Sequence, residues 1–219
     1  MVRAILFDLG NVLVTFDERR DVVRGIVEAF SSNPLCAQSV VDELFLVGAG
    51  EQPYRALDTG EKDLKTLWRE ICGKARIHLN ELPFARFAAL YVAHLKPIEP
   101  MIALARRLQG RYHLVAVSNG DFGSRYVVDL LTARHGLSFL ESFVSSEIGV
   151  IKPQLFARVK ETLWLTCRIE PRECLYVDDI GRYVESAQIY NMHGILHDAT
   201  RESPEMFVAK LRDFDIVLA

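Results

Sequence analysis

The sequence predicts an α/β protein: a Rossmann-like parallel sheet core with an all-helical block inserted after the first strand. Three observations carry this. Apolar runs of strand length, Ala4-Ile5-Leu6-Phe7, Leu114-Val115-Ala116-Val117 and Leu175-Tyr176-Val177, end at polar or turn residues, as strands buried on both faces do. Stretches with helical spacing separate the later runs, and that alternation argues for parallel strands joined by crossovers. Residues 15–95, in contrast, show helical spacing and no run that reads as a strand.

In chain order, residues 4–7 form the first strand, and Gly10 and Asn11 follow Asp8 as turn residues that tolerate positive φ. Thr15 and Glu18 have capping-box spacing and place a helix start at Thr15. Val22, Val23, Ile26, Val27 and Phe30 continue that helix to the break at Ser31-Ser32-Asn33-Pro34. A second helix carries Val40, Val41, Leu44, Phe45 and Val47 and ends near residues 48–50. Further helical stretches follow at 54–57, through Leu64, Leu67, Trp68 and Ile71, and through Phe84, Phe87, Tyr91 and Leu95. From Pro97 the alternation resumes, with helices at 98–108, 124–135, 183–190 and 205–212 and one from Lys152-Pro153 through Trp164. The strands of this part are 113–117, a short one at 143–145, 174–177 and 194–197. Residues 1–14 and 97–219 therefore form the core domain, and residues 15–96 a helical cap seated over the carboxyl edge of the sheet.

The chain has 219 residues, half of them hydrophobic and a quarter charged, which suits one core domain with an insertion and excludes disorder. A net charge of −3 without a dense Lys/Arg block gives no nucleic-acid surface. No apolar run approaches membrane-spanning length, and no signal peptide is recognisable at the N-terminus. Cys36, Cys72, Cys167 and Cys174 are scattered, as reduced structural thiols of a cytoplasmic protein would be. The expected organisation is a cytoplasmic monomer or homodimer with no membrane or nucleic-acid partner.

Ligands of an open parallel sheet bind outside the carboxyl ends of its strands. Asp8, Ser118, Asn119, Lys152, Asp178 and Asp179 all fall at that edge. Three carboxylates brought together repel one another unless a cation sits among them, and an all-oxygen donor set suits Mg²⁺, which also binds substrate phosphate. Ser118 offers a hydroxyl and nearby backbone amides to phosphate oxygens, and Lys152 a point charge. In that setting Asp8 is placed to attack phosphorus and form an aspartyl-phosphate.

The stretches FDLGNVLV, AVSNG, SSEIGVIKP and CLYVDD resemble the four motifs of the haloacid dehalogenase superfamily, over essentially the whole chain. The helical insertion after the first motif looks like that superfamily's helical cap. DLGNVLV, TGEKDLKTLW and EIGVIKP look like the subgroup of bacterial glucose-1-phosphate phosphatases and epoxide hydrolase N-terminal phosphatase domains. The resemblance implies Asp8 as nucleophile, with Ser118 and Lys152 assisting. It implies Asp8, the Gly10 carbonyl, Asp178 and Asp179 as metal ligands, and Ser118, Asn119 and Lys152 as holders of phosphate. The sequence departs from the family in three places. Gly10 stands where most phosphatases of the superfamily carry a second Asp as general acid and base. Tyr183 replaces a small or polar residue after the acidic pair, and Lys152-Pro153 lacks the Asp that usually follows it.

The expected activity is a Mg²⁺-dependent phosphatase acting on a small phosphorylated metabolite such as a sugar phosphate. Two alternatives stand beside it: a 2-haloacid dehalogenase, which shares the fold and the Asp nucleophile, and a catalytically weak binding or regulatory protein, which Gly10 allows. Asp178-Asp179 argues against the dehalogenase, because paired acids repel an anionic haloacid. His193 and His197 lie on one strand, about 13 Å apart at roughly 3.3 Å per residue, and cannot share an ion. Asp17 stands as a replacement acid/base near Asp8 against a reading, the more favoured, as an acid of the first helical turn; Trp68 reads as a core residue, and Asp121 as the cap of the next helix. Tyr54, Arg55 and Arg69 stand undecided between lid surface and substrate contact.

Overall fold

The first apolar run becomes the middle of the sheet because both of its faces can be buried there. In the computed structural model, which describes residues 1–45 and 54–218, β1 (Ala4–Phe7) pairs in parallel with β4 (His113–Ser118) on one side and with β6 (Cys174–Asp178) on the other. β5 (Phe139–Val144) and β7 (His193–Leu196) complete a five-stranded sheet of order β5-β4-β1-β6-β7. The chain leaves β1 toward β4 and β5 and returns to its other side at β6. The reversal at β1 opens a crevice at the carboxyl ends, where ligands of such sheets bind.

Strand alternation divides the core into two layers around the sheet. Ile5, Phe7, Leu114, Ala116, Leu175 and Val177 pack against α6 (Glu99–Leu108), α7 (Phe122–His135) and α11 (Pro204–Arg212). Ala4, Leu6, Val115, Val117, Cys174 and Tyr176 pack against α9 (Leu155–Cys167) and α10 (Gly181–Ile189).

The helical insertion has its own core. α1 (Arg19–Phe30), α2 (Ala37–Phe45), α3 (Arg55–Asp58), α4 (Leu64–Ala75) and α5 (Phe84–Val92) bury Val27, Val41, Leu67, Ile71 and Phe87 against one another. Trp68 belongs to this core, and its indole N–H donates to the Leu82 carbonyl at 2.9 Å. The expected continuation of the second helix through Val47 to residues 48–50 lies outside the described residues.

Several local expectations are corrected. Thr15 does not cap a helix: it lies in β2 (Val14–Thr15), which pairs antiparallel with β3 (Lys96–Pro97), so the two passages between core and cap run side by side. The helix instead starts at Arg19 with Glu18 as N-cap, and its first turn does not contain Asp17. Two residues per strand are too few for a periodic signal, which is why the stretch read as helix. The strand expected at 143–145 begins four residues earlier, at Phe139, and Ser145 opens the short helix α8 (Ser145–Ile148). β5 is one of the two edge strands. Residues 139–142 are only half-buried and include Glu141 and Ser142, so no apolar run marks them. All four cysteines are free. No helix among the described residues is long and apolar enough to cross a membrane.

Candidate active site

Asp8 follows β1 directly, and its backbone N–H donates to the Val177 carbonyl, so the end of β6 holds the chain as it leaves the sheet. The turn beyond is closed by Leu13 and Val14, whose N–H groups donate to the Leu9 carbonyl, with Asn11 at φ 54°. Asn, rather than the neighbouring Gly10, takes the left-handed position. At Gly10, which has no positive φ to explain it, a Cβ would lie 2.8 Å from Cε1 of the exposed Phe16 ring, which would have to shift to admit one.

Lys152 is the centre of the site. Its side chain is 2% exposed, and its ammonium donates to Asp8 Oδ1 at 2.9 Å, Asp178 Oδ2 at 2.8 Å and the Tyr176 hydroxyl at 2.8 Å. Tyr176 in turn donates to Asp178 Oδ2. Burial works against the charge on Lys152, but Asp8 and Asp178 outweigh it and raise its pKa, so the ammonium stays charged. Burial pushes the Asp8 carboxyl up to about 7. Lys152 opposes that rise, and Asp178 and Asp179 add to it. Asp179 is likewise raised by burial, with Asn11 donating to it at 3.0 Å and lowering it and Asp178 raising it further. The site thus carries more negative charge than its one lysine balances.

Asp8, Asp178 and Asp179 bring carboxylate oxygens within 4.8 Å of one another. Asp178 is fully buried and already engaged on both oxygens, Oδ2 by Lys152 and Tyr176 and Oδ1 by the Ile180 N–H at 2.8 Å. Asp8, Gly10 and Asp179 line the open cavity above. The hard oxygen donors and their excess of negative charge fit a divalent cation such as Mg²⁺.

Ser118 lies at the end of β4, with its hydroxyl 3.2 Å from that of Ser124. The Asn119 amide is tied down on both ends. Its oxygen accepts from the Lys152 N–H at 2.7 Å and its Nδ2 donates to the Tyr183 hydroxyl at 3.2 Å. Tyr183 lays its ring 4.7 Å from the Lys152 ammonium. The side chain of Asn119 therefore joins the loops that carry Lys152 and Tyr183, while its position at the cavity wall is kept.

The cavity has a volume of about 310 Å³ and is roofed by the cap. Arg19 of α1 reaches Asp58 at 2.8 Å within the cap and Asp121 of the core at 3.5 Å, with its guanidinium over the Tyr54 ring. Tyr91 of α5 donates to Asp121 at 2.6 Å. Asp121 caps α7, as its place after the Ser118 turn suggests, by accepting from the Gly123 N–H at 2.8 Å, and also joins core to cap. Ser145 adds a second joint by donating to the Asp58 carbonyl at 2.6 Å. Tyr54 lines the cavity with Arg19, and Asp17 stands at its mouth ahead of α1. His193 and His197 lie elsewhere, packed against Phe214 and Phe207.

Sequence reasoning did not single out Tyr176, Arg19, Phe16 or Tyr91. Tyr176 sits inside an apolar strand with its ring against Phe156, so it reads as core. Arg19 is one of two consecutive arginines in an amphipathic helix, and nothing local distinguishes it from Arg20.

No family model matches the sequence, and no curated protein matches it. Solved structures do. A HAD-family enzyme from Bacteroides thetaiotaomicron, in complex with magnesium and inorganic phosphate, matches with a TM-score of 0.71 at 19% identity, over 94% of this chain and 100% of its own. A predicted HAD-like family hydrolase from Porphyromonas gingivalis gives 0.69 at 21% identity, over 97% and 98%. The L-2-haloacid dehalogenase of Xanthobacter autotrophicus with chloropropionic acid covalently bound gives 0.56 at 20% identity, over 99% and 85%. The chain has the fold of the haloacid dehalogenase superfamily.

Proposed function

We propose that this protein is a metal-dependent phosphatase that transfers the phosphoryl group of a small phosphorylated metabolite to Asp8 and then to water. The observation that carries the reading is the buried Lys152 ammonium, held between Asp8 and Asp178 beneath an otherwise acidic cavity. Among the described residues, six acidic side chains and two basic ones, Arg19 and Lys152, line that cavity, and both bases are already engaged by carboxylates. A haloacid carboxylate finds no uncommitted positive charge there. A phosphate brings its own requirement for a cation, which the carboxylates fit. The magnesium and phosphate bound by the Bacteroides thetaiotaomicron enzyme of the same fold support this choice.

In the first step an Asp8 oxygen attacks phosphorus in line. The Asp8–phosphorus bond forms and the bond to the leaving oxygen breaks, its electron pair departing with that oxygen. Lys152 opposes the rise that burial gives the Asp8 carboxyl, favouring its ionised form, and fixes the oxygen it touches. Ser118 and the amides after β4 offer donors to the phosphate oxygens. In the second step water attacks phosphorus, the electron pair of the broken bond returns to Asp8, and inorganic phosphate leaves. Asp8, Asp179 and the Gly10 carbonyl are the groups that would hold a divalent cation. When bound, it offsets the charge of the phosphate.

Phosphate release from p-nitrophenyl phosphate with Mg²⁺ and with EDTA, beside halide release from chloroacetate, tests the assignment. Metal-dependent phosphate release without halide release is expected. Halide release unaffected by EDTA would establish the dehalogenase reading instead, and inactivity in both assays the non-catalytic one.

A further inference from the structure

Resting on the phosphatase reading, we propose that the substrate is a phosphate monoester of a phenol or an enol, whose leaving group lies against Phe16 and departs as an anion. In-line attack by Asp8 places the leaving oxygen on the far side of phosphorus, toward the linker and cap. On that approach the wall beside Asp8 is Gly10, which has no side chain, and the space a side chain would take is filled by Phe16. A Cβ at Gly10 would lie 2.8 Å from Phe16 Cε1 and 3.3 Å from Cδ1. Phe16 is 43% exposed and lines the cavity, so its ring is offered to whatever enters.

The other described acids of that half are ion-paired or exposed. Asp58 and Asp121 are bound to Arg19, a permanent cation, and Asp121 already accepts the proton of Tyr91. Asp17 and Glu18 are exposed at the mouth. His94 lines the cavity with its Nδ1 buried and unpartnered, and burial lowers its pKa, so the imidazole is neutral rather than a ready acid. Among the described residues, no acid on that side of the cavity is both free of a partner and shielded from solvent to protonate the leaving oxygen. The bond to phosphorus then breaks without a proton transfer, and the electron pair stays on the leaving oxygen. Phenolates and enolates bear that charge, and alkoxides do not. A flat leaving group also gains an aromatic contact with Phe16.

The test compares phosphate release, with Mg²⁺, from phenyl phosphates of graded acidity and from glycerol phosphate. A general acid is typically worth 10²–10⁴-fold, so the most acidic phenyl ester should be turned over faster than glycerol phosphate by roughly that factor. Phe16→Ala should raise KM for the phenyl esters severalfold with little change for glycerol phosphate. Gly10→Asp combined with Phe16→Ala should narrow the gap by gaining on glycerol phosphate. Equal rates across the wild-type series would overturn the proposal. If those equal rates became graded in His94→Gln, the imidazole would be the proton donor. Phosphate release from no ester at all would overturn the phosphatase reading and this inference with it.

Discussion

The floor and the roof of the cavity are built by opposite means. The floor is a buried, mutually bonded cluster. Asp8, Tyr176 and Asp178, on or just past strands fixed by sheet register, and Lys152, in the turn before α9, hold one another within the core domain. The roof is a set of joints between two bodies, in which Arg19, Asp58 and Tyr91 of the cap meet Asp121 and Ser145 of the core. Gly60 marks how closely the two approach: at φ +74°, a Cβ there would lie 2.1 Å from the Ser146 carbonyl oxygen. Rigid placement at the floor suits the reacting atoms. Bonds that cross from cap to core at the roof suit a part that opens to admit substrate. Mutations at the floor should therefore act on kcat and those at the roof on KM.

The largest expected effect is at the floor. Asp8→Asn should reduce turnover by about 10³-fold or more while leaving the circular dichroism spectrum unchanged, since under the proposed mechanism the isostere removes only the nucleophile. Lys152→Met should abolish activity and also destabilise the core, because Asp8 and Asp178 would be left buried without their cation. Breaking a buried pair this way costs about 3–5 kcal/mol, readable as a lowered denaturant midpoint. Asp179→Ala should raise the Mg²⁺ concentration for half-maximal activity by about 10–100-fold while sparing the fold, a magnitude borrowed from the loss of groups that support metal ligands.

The roof gives smaller effects of another kind. Arg19→Ala leaves Asp58 and Asp121 without their shared partner. With Arg19 about one-fifth exposed, the stability loss should be about 1–3 kcal/mol, and KM should rise more than kcat falls. Equal loss in both constants would erase the distinction between floor and roof. Tyr183→Phe, beside Lys152 at the cavity wall, should cost only about 0.5–1.5 kcal/mol through its bond to Asn119.

The same contrast explains what the sequence revealed. Asp8, Ser118 and Asp179 fall at or just past the ends of apolar runs, and a parallel sheet delivers all such ends to one edge, so local pattern sufficed. Lys152 was legible only as part of that set, since Lys152-Pro153 by itself reads as an ordinary helix entry. Arg19 and Asp121 meet across 102 positions of sequence, and neither carries a local mark of that partner. Tyr176 hides in the strand because its hydroxyl alone, not its ring, belongs to the site. The paired linkers β2 and β3 were missed because two residues cannot display a period of two.

The central claim is that Asp8 takes the phosphoryl group. Acid quench of wild-type enzyme within the first turnover of p-nitrophenyl phosphate in Mg²⁺, followed by mass spectrometry of its peptides, tests it directly. One phosphoryl group on the peptide containing Asp8, absent in Asp8→Asn and absent in EDTA, is the expected result. Phosphoryl transfer to another residue, or phosphate release undiminished in Asp8→Asn, would contradict it.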